Sequence, residues 1–272
     1  MSDERNDAAR RTVLVTGAAS GIGAALVERL RGAGTDVVGW DLRAGDRDDV
    51  RYIALDLTDA AQITRAAARL PERIDAIANV AGVPGTAPAL RVLEVNVLGP
   101  QRVIAAVGER LPRGAAIVNV ASLAAARNAV DAAGLAALRA AQTNDDLAAW
   151  LQRHPLEGPA AYDTSKRVLV DASALASARL AERGIRVVSV SPGPIQTPIL
   201  GDFVTSMGKD AIDRSAAAVG RHGTAAEVAA VVAFALSPDA SWLNGIDIPV
   251  DGGLTGLRTA ASLKAQSEGE PS

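Results

Sequence analysis

Tyr162 and Lys166 close the stretch Tyr162-Asp163-Thr164-Ser165-Lys166. On a helix that spacing puts both side chains on one face, one turn apart. A free phenol titrates near ~10. A neighbouring ammonium favours the phenolate and lowers that value, so the pair can act as a general acid/base near neutral pH. Such a pair needs a group to hold the reacting oxygen. Ser122 stands at the C-terminal end of the apolar run Ala116–Ala121 and suits that task. Asn96 sits alone in an apolar segment of helical spacing. Its amide either bonds locally at a kink or holds a water beside the site.

A second constellation lies near the N-terminus. Thr12-Val13-Leu14-Val15-Thr16 runs straight into Gly17-Ala18-Ala19-Ser20-Gly21-Ile22-Gly23, followed by a helix-like segment from Ala24 to Arg31. Strand, glycine-rich turn and helix together point to a phosphate site, the alternative being a tight βα turn that binds nothing. Glycines let backbone approach a pyrophosphate, and the helix N-terminus offers free N–H groups. Asp41 ends the next strand, where a carboxylate accepts both hydroxyls of an adenosine ribose and repels a 2′-phosphate. The loop has Ala19-Ser20 and no cation before Gly21, so NAD is favoured over NADP, with Arg43 the one neighbouring cation. Asp56 either bonds an adenine amino group or belongs to a βα turn. The small residues after Asn79, namely Val80-Ala81-Gly82, let backbone pass close to a ligand.

The elements that must position these groups alternate along the chain. Strands are expected near residues 12–16, 36–40, 52–55, 73–78, 116–121, 185–190 and 246–250. Helices fall between them, including one from Pro88 to Arg110 and one from Pro159 to Arg183. That alternation implies an α/β protein with a doubly wound parallel sheet. Residues 11–257 form one domain, between a polar lead (1–10) and a loose polar tail (258–272). Residues 199–222 read as irregular. A helical insert, about 124–158, interrupts the pattern before the Tyr162 helix.

Composition closes other routes. The 272-residue chain has no cysteine and two histidines, so thiolate sites, disulfides and a His-rich metal site are not expected. His154 and His222 read as loop or helix-end residues. Aromatics are 3% and the net charge is −3, which argues against a nucleic-acid partner. A polar N-terminus without an apolar signal core, and no apolar run of ~20 residues, point to a soluble cytoplasmic protein without a membrane partner.

Together these residues resemble the short-chain dehydrogenase/reductase family over residues 11–256. Thr16-Gly17-x-x-x-Gly21-Ile22-Gly23 is similar to its cofactor motif, and Asn79-x-Ala81-Gly82 to its fourth-strand motif. Asn96, Ser122, Tyr162 and Lys166 fall in the order of its catalytic tetrad. Pro192-Gly193 with Thr197 resembles its nicotinamide loop. The resemblance implies a Rossmann fold and NAD chemistry. Gly17, Ser20, Gly21, Ile22, Gly23, Asp41, Asp56, Leu57, Asn79, Ala81 and Gly82 would line the cofactor. Pro192, Gly193, Ile195 and Thr197 would hold its nicotinamide end, with Tyr162 and Lys166 alongside. It further implies that Tyr162 moves the hydroxyl proton, Lys166 lowers the Tyr162 pKa and bonds the nicotinamide ribose, Ser122 orients the substrate oxygen and Asn96 supports a relay water.

Two departures stand out. Asp163-Thr164-Ser165 replaces the family's small residues, adding a charge beside Tyr162. The connection from Ser122 to Tyr162 is far longer than usual. It resembles the branch of hydroxysteroid dehydrogenase/carbonyl reductases and coniferyl-alcohol dehydrogenases, which implies a bulky apolar alcohol or carbonyl substrate. The insert would then lie beside the substrate mouth as lid, wall or interface element. A homodimer or homotetramer is expected on the same ground. A ketoacyl or polyketide ketoreductase and a non-catalytic NAD-binding regulator are the alternatives.

Overall fold

The computed structural model describes residues 10–196 and 209–268. The β-branched apolar runs form strands β1 (Thr12–Thr16), β2 (Asp36–Asp41), β3 (Arg51–Ala54), β4 (Ala76–Asn79), β5 (Ala116–Val120) and β6 (Arg186–Pro192). They are followed by β7 (Ile195–Gln196), β8 (Gly223–Thr224) and β9 (Asp247–Val250). Seven of them build one parallel sheet in the order β3-β2-β1-β4-β5-β6-β9, and β7 pairs with β8 apart from it. The central strands β4, β5 and β6 are buried along their whole length, as strands covered on both faces must be.

Helices α1 (Gly21–Gly32) and α9 (Ala225–Leu236) cover one face; α2 (Ala60–Ala67), α4 (Gly99–Val107) and α7 (Gly158–Leu180) cover the other. Further helices among the described residues are α3 (Ala89–Leu93), α5 (Ala132–Arg139), α6 (Asn144–Arg153), α8 (Lys209–Val219) and α10 (Leu254–Glu268). The doubly wound parallel sheet is therefore present, and three local readings are corrected. The segment from Pro88 to Arg110 is not one α-helix: α3 and α4 flank a π-helical turn, Glu94–Leu98. Pro100 cannot donate an N–H to the Asn96 carbonyl, so the α-helical ladder fails there. Residues from 209 are helical within the stretch read as irregular, and α10 replaces much of the expected loose tail.

The insert folds as α5 and α6. Asp131 caps the first by accepting from Gly134 N–H, and Thr143 with Asp146 forms a capping box on the second. Trp150 Nε1 donates to the Gly134 carbonyl at 2.9 Å and ties the two helices together. His154 ends α6 and stacks on Trp150, with ring centroids 4.4 Å apart. The apolar faces of both helices pack on α3, the π-turn and α7, through Leu135, Leu138, Leu147 and Trp150 against Leu93, Val97 and Val168.

Leu147 is fully buried in that cluster. Leu147→Ala should lower stability in chemical denaturation by about 2–5 kcal/mol. A loss below the range seen for surface changes would show that the insert is not integral to the core.

Candidate active site

β1 and β4 are neighbours whose following connections leave in opposite directions, so a crevice opens beyond their C-terminal ends. Thr16 holds that crevice shut at its base. Its Oγ1 accepts from the N–H groups of Val80 at 3.1 Å and Ala81 at 3.2 Å. Gly17 follows with φ +67°, and a Cβ there would stand 2.8 Å from the Ala81 Cα. A Cβ on Gly23 would overlap the Gly17 carbonyl oxygen. Only glycine satisfies both positions. The first N–H groups of α1 have no intrahelical partner, and Ser20 supplies no side-chain cap. They border a cavity of about 380 Å³.

That cavity brings most of the expected residues together. Gly17, Ser20, Gly21, Ile22 and Gly23 line one wall, with Ala81 and Gly82 opposite. Asp41, Asp56 and Leu57 line one end; Ser122, Tyr162, Lys166, Pro192, Gly193 and Ile195 line the other. Asp41 Oδ2 accepts from the Ala19 N–H at 3.0 Å, which ties the strand end to the glycine turn. Burial pushes the Asp56 carboxyl up, but hydrogen bonds from Thr58 and Arg91 outweigh it and hold it below the ordinary range. Thr197 lies outside the described residues.

Two expected residues do not line the cavity. Asn79 is buried behind it, where its amide donates to Asn119 Oδ1 at 2.8 Å. Asn96 spends its amide on the backbone of Val83, accepting from its N–H at 2.9 Å and donating to its carbonyl at 3.1 Å, with Ser165 Oγ at 3.2 Å. The amide of Asn96 thus fixes the loop after β4, the local bonding that the sequence offered as one of its two readings. His154 and His222 also lie away from the cavity lining.

Tyr162 and Lys166 are both buried. Burial pushes the Tyr162 phenol up to about 12, opposed by its hydrogen bond with Ser122 and by Arg127, and reinforced by Asp163. Burial also brings the Lys166 ammonium down to about 8. Its Nζ donates to the Val120 carbonyl at 3.0 Å and lies 5.6 Å from the phenol ring centroid. In the chain by itself burial is the largest influence on the Tyr162 phenol, and the Lys166 ammonium is turned to the strand end.

Among the described residues, the insert meets the cavity through Ala124 and Arg127, in the 3₁₀ turn Leu123–Arg127, and neither α5 nor α6 lines it. Residues that sequence reasoning missed include Val83, Pro84, Arg91, Leu123, Leu254 and Arg258. Arg258 belongs to α10, and no local pattern around it pointed to the cavity.

Fold and cavity define a doubly wound α/β protein with its ligand site at the topological switch point. The family model described as enoyl-(acyl carrier protein) reductase matches residues 147–255, and that of the NAD dependent epimerase/dehydratase family matches residues 13–157. The chain is 36% identical over 245 residues to coniferyl-alcohol dehydrogenase of a Pseudomonas species, covering 90% of this chain and 96% of that protein. It is 32% identical over 251 residues to 3-alpha-hydroxysteroid dehydrogenase/carbonyl reductase of Comamonas testosteroni, covering 89% and 95%. A solved 3-alpha-hydroxysteroid dehydrogenase from Pseudomonas sp. B-0831, complexed with NADH, superposes with a TM-score of 0.79 at 30% identity, covering 92% and 98%. The chain belongs to the short-chain dehydrogenase/reductase family and is an oxidoreductase. Among the described residues, no helix is long and apolar enough to cross a membrane.

Thr16→Val keeps the shape of the side chain but strands the Val80 and Ala81 N–H groups. It should cost about 1–3 kcal/mol per stranded group in thermal or chemical unfolding. An unchanged transition would mean that Thr16 does not hold the crevice.

Proposed function

We propose that this chain transfers hydride between NAD and a bulky, largely apolar alcohol or carbonyl compound, with Tyr162 as general acid/base. The observation that carries the reading is the hydrogen bond between Ser122 and Tyr162 on the wall of the cavity that the glycine turn opens. Lys166 lies one turn further along the same helix.

The residues fit the dinucleotide. The glycine turn and α1 N-terminus take the pyrophosphate, Asp41 the adenosine ribose, and Asp56 and Leu57 the adenine. Ala81, Gly82, Pro192, Gly193 and Ile195, with Lys166, take the nicotinamide half; Thr197, outside the described residues, is a further candidate for it. Bound NAD supplies or accepts the hydride. Ser122 orients the substrate oxygen, and Tyr162 gives it a proton or takes one away. Asn96 acts from behind by holding Val83 and Ser165. Apolar residues of the lining include Val83, Pro84, Leu123, Ala124, Pro194 and Leu254. That lining, and the relatives named for coniferyl alcohol and hydroxysteroids, support a bulky apolar substrate.

The raised phenol sets the pH response. A protonated Tyr162 is ready to donate in carbonyl reduction at neutral pH. Alcohol oxidation needs the phenolate, so its rate should climb about tenfold per pH unit below the working pKa. Tyr162→Phe should reduce kcat about 10²–10⁴-fold, followed by NADH absorbance with coniferyl alcohol and a 3α-hydroxysteroid. Undiminished turnover would sink the proposal. Separately, NAD⁺ should give the higher kcat/KM over NADP⁺, and Asp41→Ala should narrow the gap. Equal efficiency in the unaltered enzyme would defeat the Asp41 reading.

A further inference from the structure

Arg127 and Asp163 form a two-pronged ion pair, with Nε donating to Oδ2 at 3.0 Å and Nη2 to Oδ1 at 2.6 Å. Two features give it more than ordinary interest. Asp163 directly follows Tyr162 on α7. Arg127 ends the 3₁₀ turn whose N-cap is Ser122, and that hydroxyl accepts from the Ala124 N–H at 3.2 Å. The pair therefore bridges the two elements that carry the two hydroxyls. Beyond Arg127 the chain leaves for α5 and α6, so the clasp sits where the insert departs.

We propose that Arg127 and Asp163 are positioning residues: their ion pair clasps the Ser122 turn onto the Tyr162 helix, fixing the approach of the two hydroxyls and balancing the charge around the phenol. This rests on the reading of Tyr162 as the general acid/base.

Magnitudes separate this role from simple stabilisation. The Arg127 side chain is 44% exposed and that of Asp163 16%. A pair so open to solvent adds little to stability, of order 0–1 kcal/mol. A two-pronged guanidinium–carboxylate contact, however, specifies orientation as well as distance. Among the described residues, the charges facing Tyr162 include Lys166 and Asp163 on its own helix and Arg127 on the facing turn; Ser122 is a neutral partner. Asp163 and Arg127 act on the phenol in opposite senses. Paired, they offset each other; removing one exposes the other.

The chain's two tyrosines are Tyr52 and Tyr162, which makes a direct measurement practical. In a Tyr52→Phe background, phenolate absorbance reports Tyr162 alone and needs no substrate. Asp163→Asn leaves Arg127 unbalanced and should move the onset of ionisation to lower pH. Arg127→Gln leaves Asp163 unbalanced and should move it to higher pH, each by up to about one unit. The double variant should return near the starting onset. Its kcat with coniferyl alcohol or a 3α-hydroxysteroid should nonetheless fall about tenfold, because the clasp is gone. Arg127→Lys keeps the charge and loses the fork, so the onset should hold while kcat falls.

Single variants that shift the onset in the same direction, or not at all, would overturn the proposal. So would a double variant with full kcat. Circular dichroism at each pH confines the comparison to folded protein. If either single variant does not fold, Arg127→Lys decides alone, and an unchanged kcat or a displaced onset counts against the clasp. Tyr162→Phe in the same assay separates the two ideas. Full activity there defeats the underlying mechanism, whereas an inactive Tyr162→Phe beside unmoved onsets defeats only the clasp.

Discussion

Everything at the site depends on how closely β1 and β4 approach at their C-terminal ends. The contact is backbone against backbone, with Gly17 against Ala81, and Thr16 supplies the hydroxyl that makes it tolerable to the two N–H groups of Val80 and Ala81. Adjacent parallel strands whose connections diverge leave a gap above them. Here the gap has a glycine floor, a helix N-terminus on one side and a strand-end carboxylate on the other. A side chain at Gly17 or Gly23 would push these parts out of contact. The cavity is thus a product of main-chain packing, and the chemistry-bearing side chains are arranged around it.

Burial governs what those side chains can do. Lys166 and Tyr162 are both removed from water, and each is pushed toward its neutral form. For Lys166, burial disfavours the charged form below about pH 8, and this disadvantage eases up to the ordinary lysine value of 10.5, where the unfolded chain also loses its proton. Tyr162 acts in the opposite sense at higher pH, because its folded value lies above its unfolded one. A buried pair tuned in this way costs the fold something at neutral pH. Structural lysines gain nothing from such a position, whereas proton transfer at a dry site gains a donor whose strength is set by a few fixed neighbours.

The parts of the site that were legible in the sequence share one property: they stand at an element boundary or at a helical interval. The glycine turn, Asp41, Ser122 and the Tyr162–Lys166 interval are all of that kind, and so was the strand–helix alternation that defines the fold. What was not legible depends on long-range packing. Arg127 meets Asp163 from a distant part of the chain, and Arg91 reaches Asp56 in the same manner. Asn96 could be read as bonding locally or as holding a water because its neighbours in sequence are apolar. Its actual partner, Val83, lies across a turn that no periodicity describes. The π-turn around it follows from Pro100, a residue whose effect could have been read from the missing N–H.

The insert shows the same distinction at larger scale. Its position just before the Tyr162 helix suggested a lid, a wall of the substrate mouth or an interface element. Its apolar side chains close a third core against α3, the π-turn and α7. Tyr162 and Ala161 belong to that core as well as to α7. The helices of the insert therefore bear on the site from behind, by stiffening the segment that carries the phenol and the π-turn that carries Asn96. Only its first turn meets the cavity, through Ala124 and Arg127. Among the described residues, the cavity is lined from short stretches, the loop after β4, the turn after β5 and the start of α10, while the long insert packs against the helix that carries Tyr162.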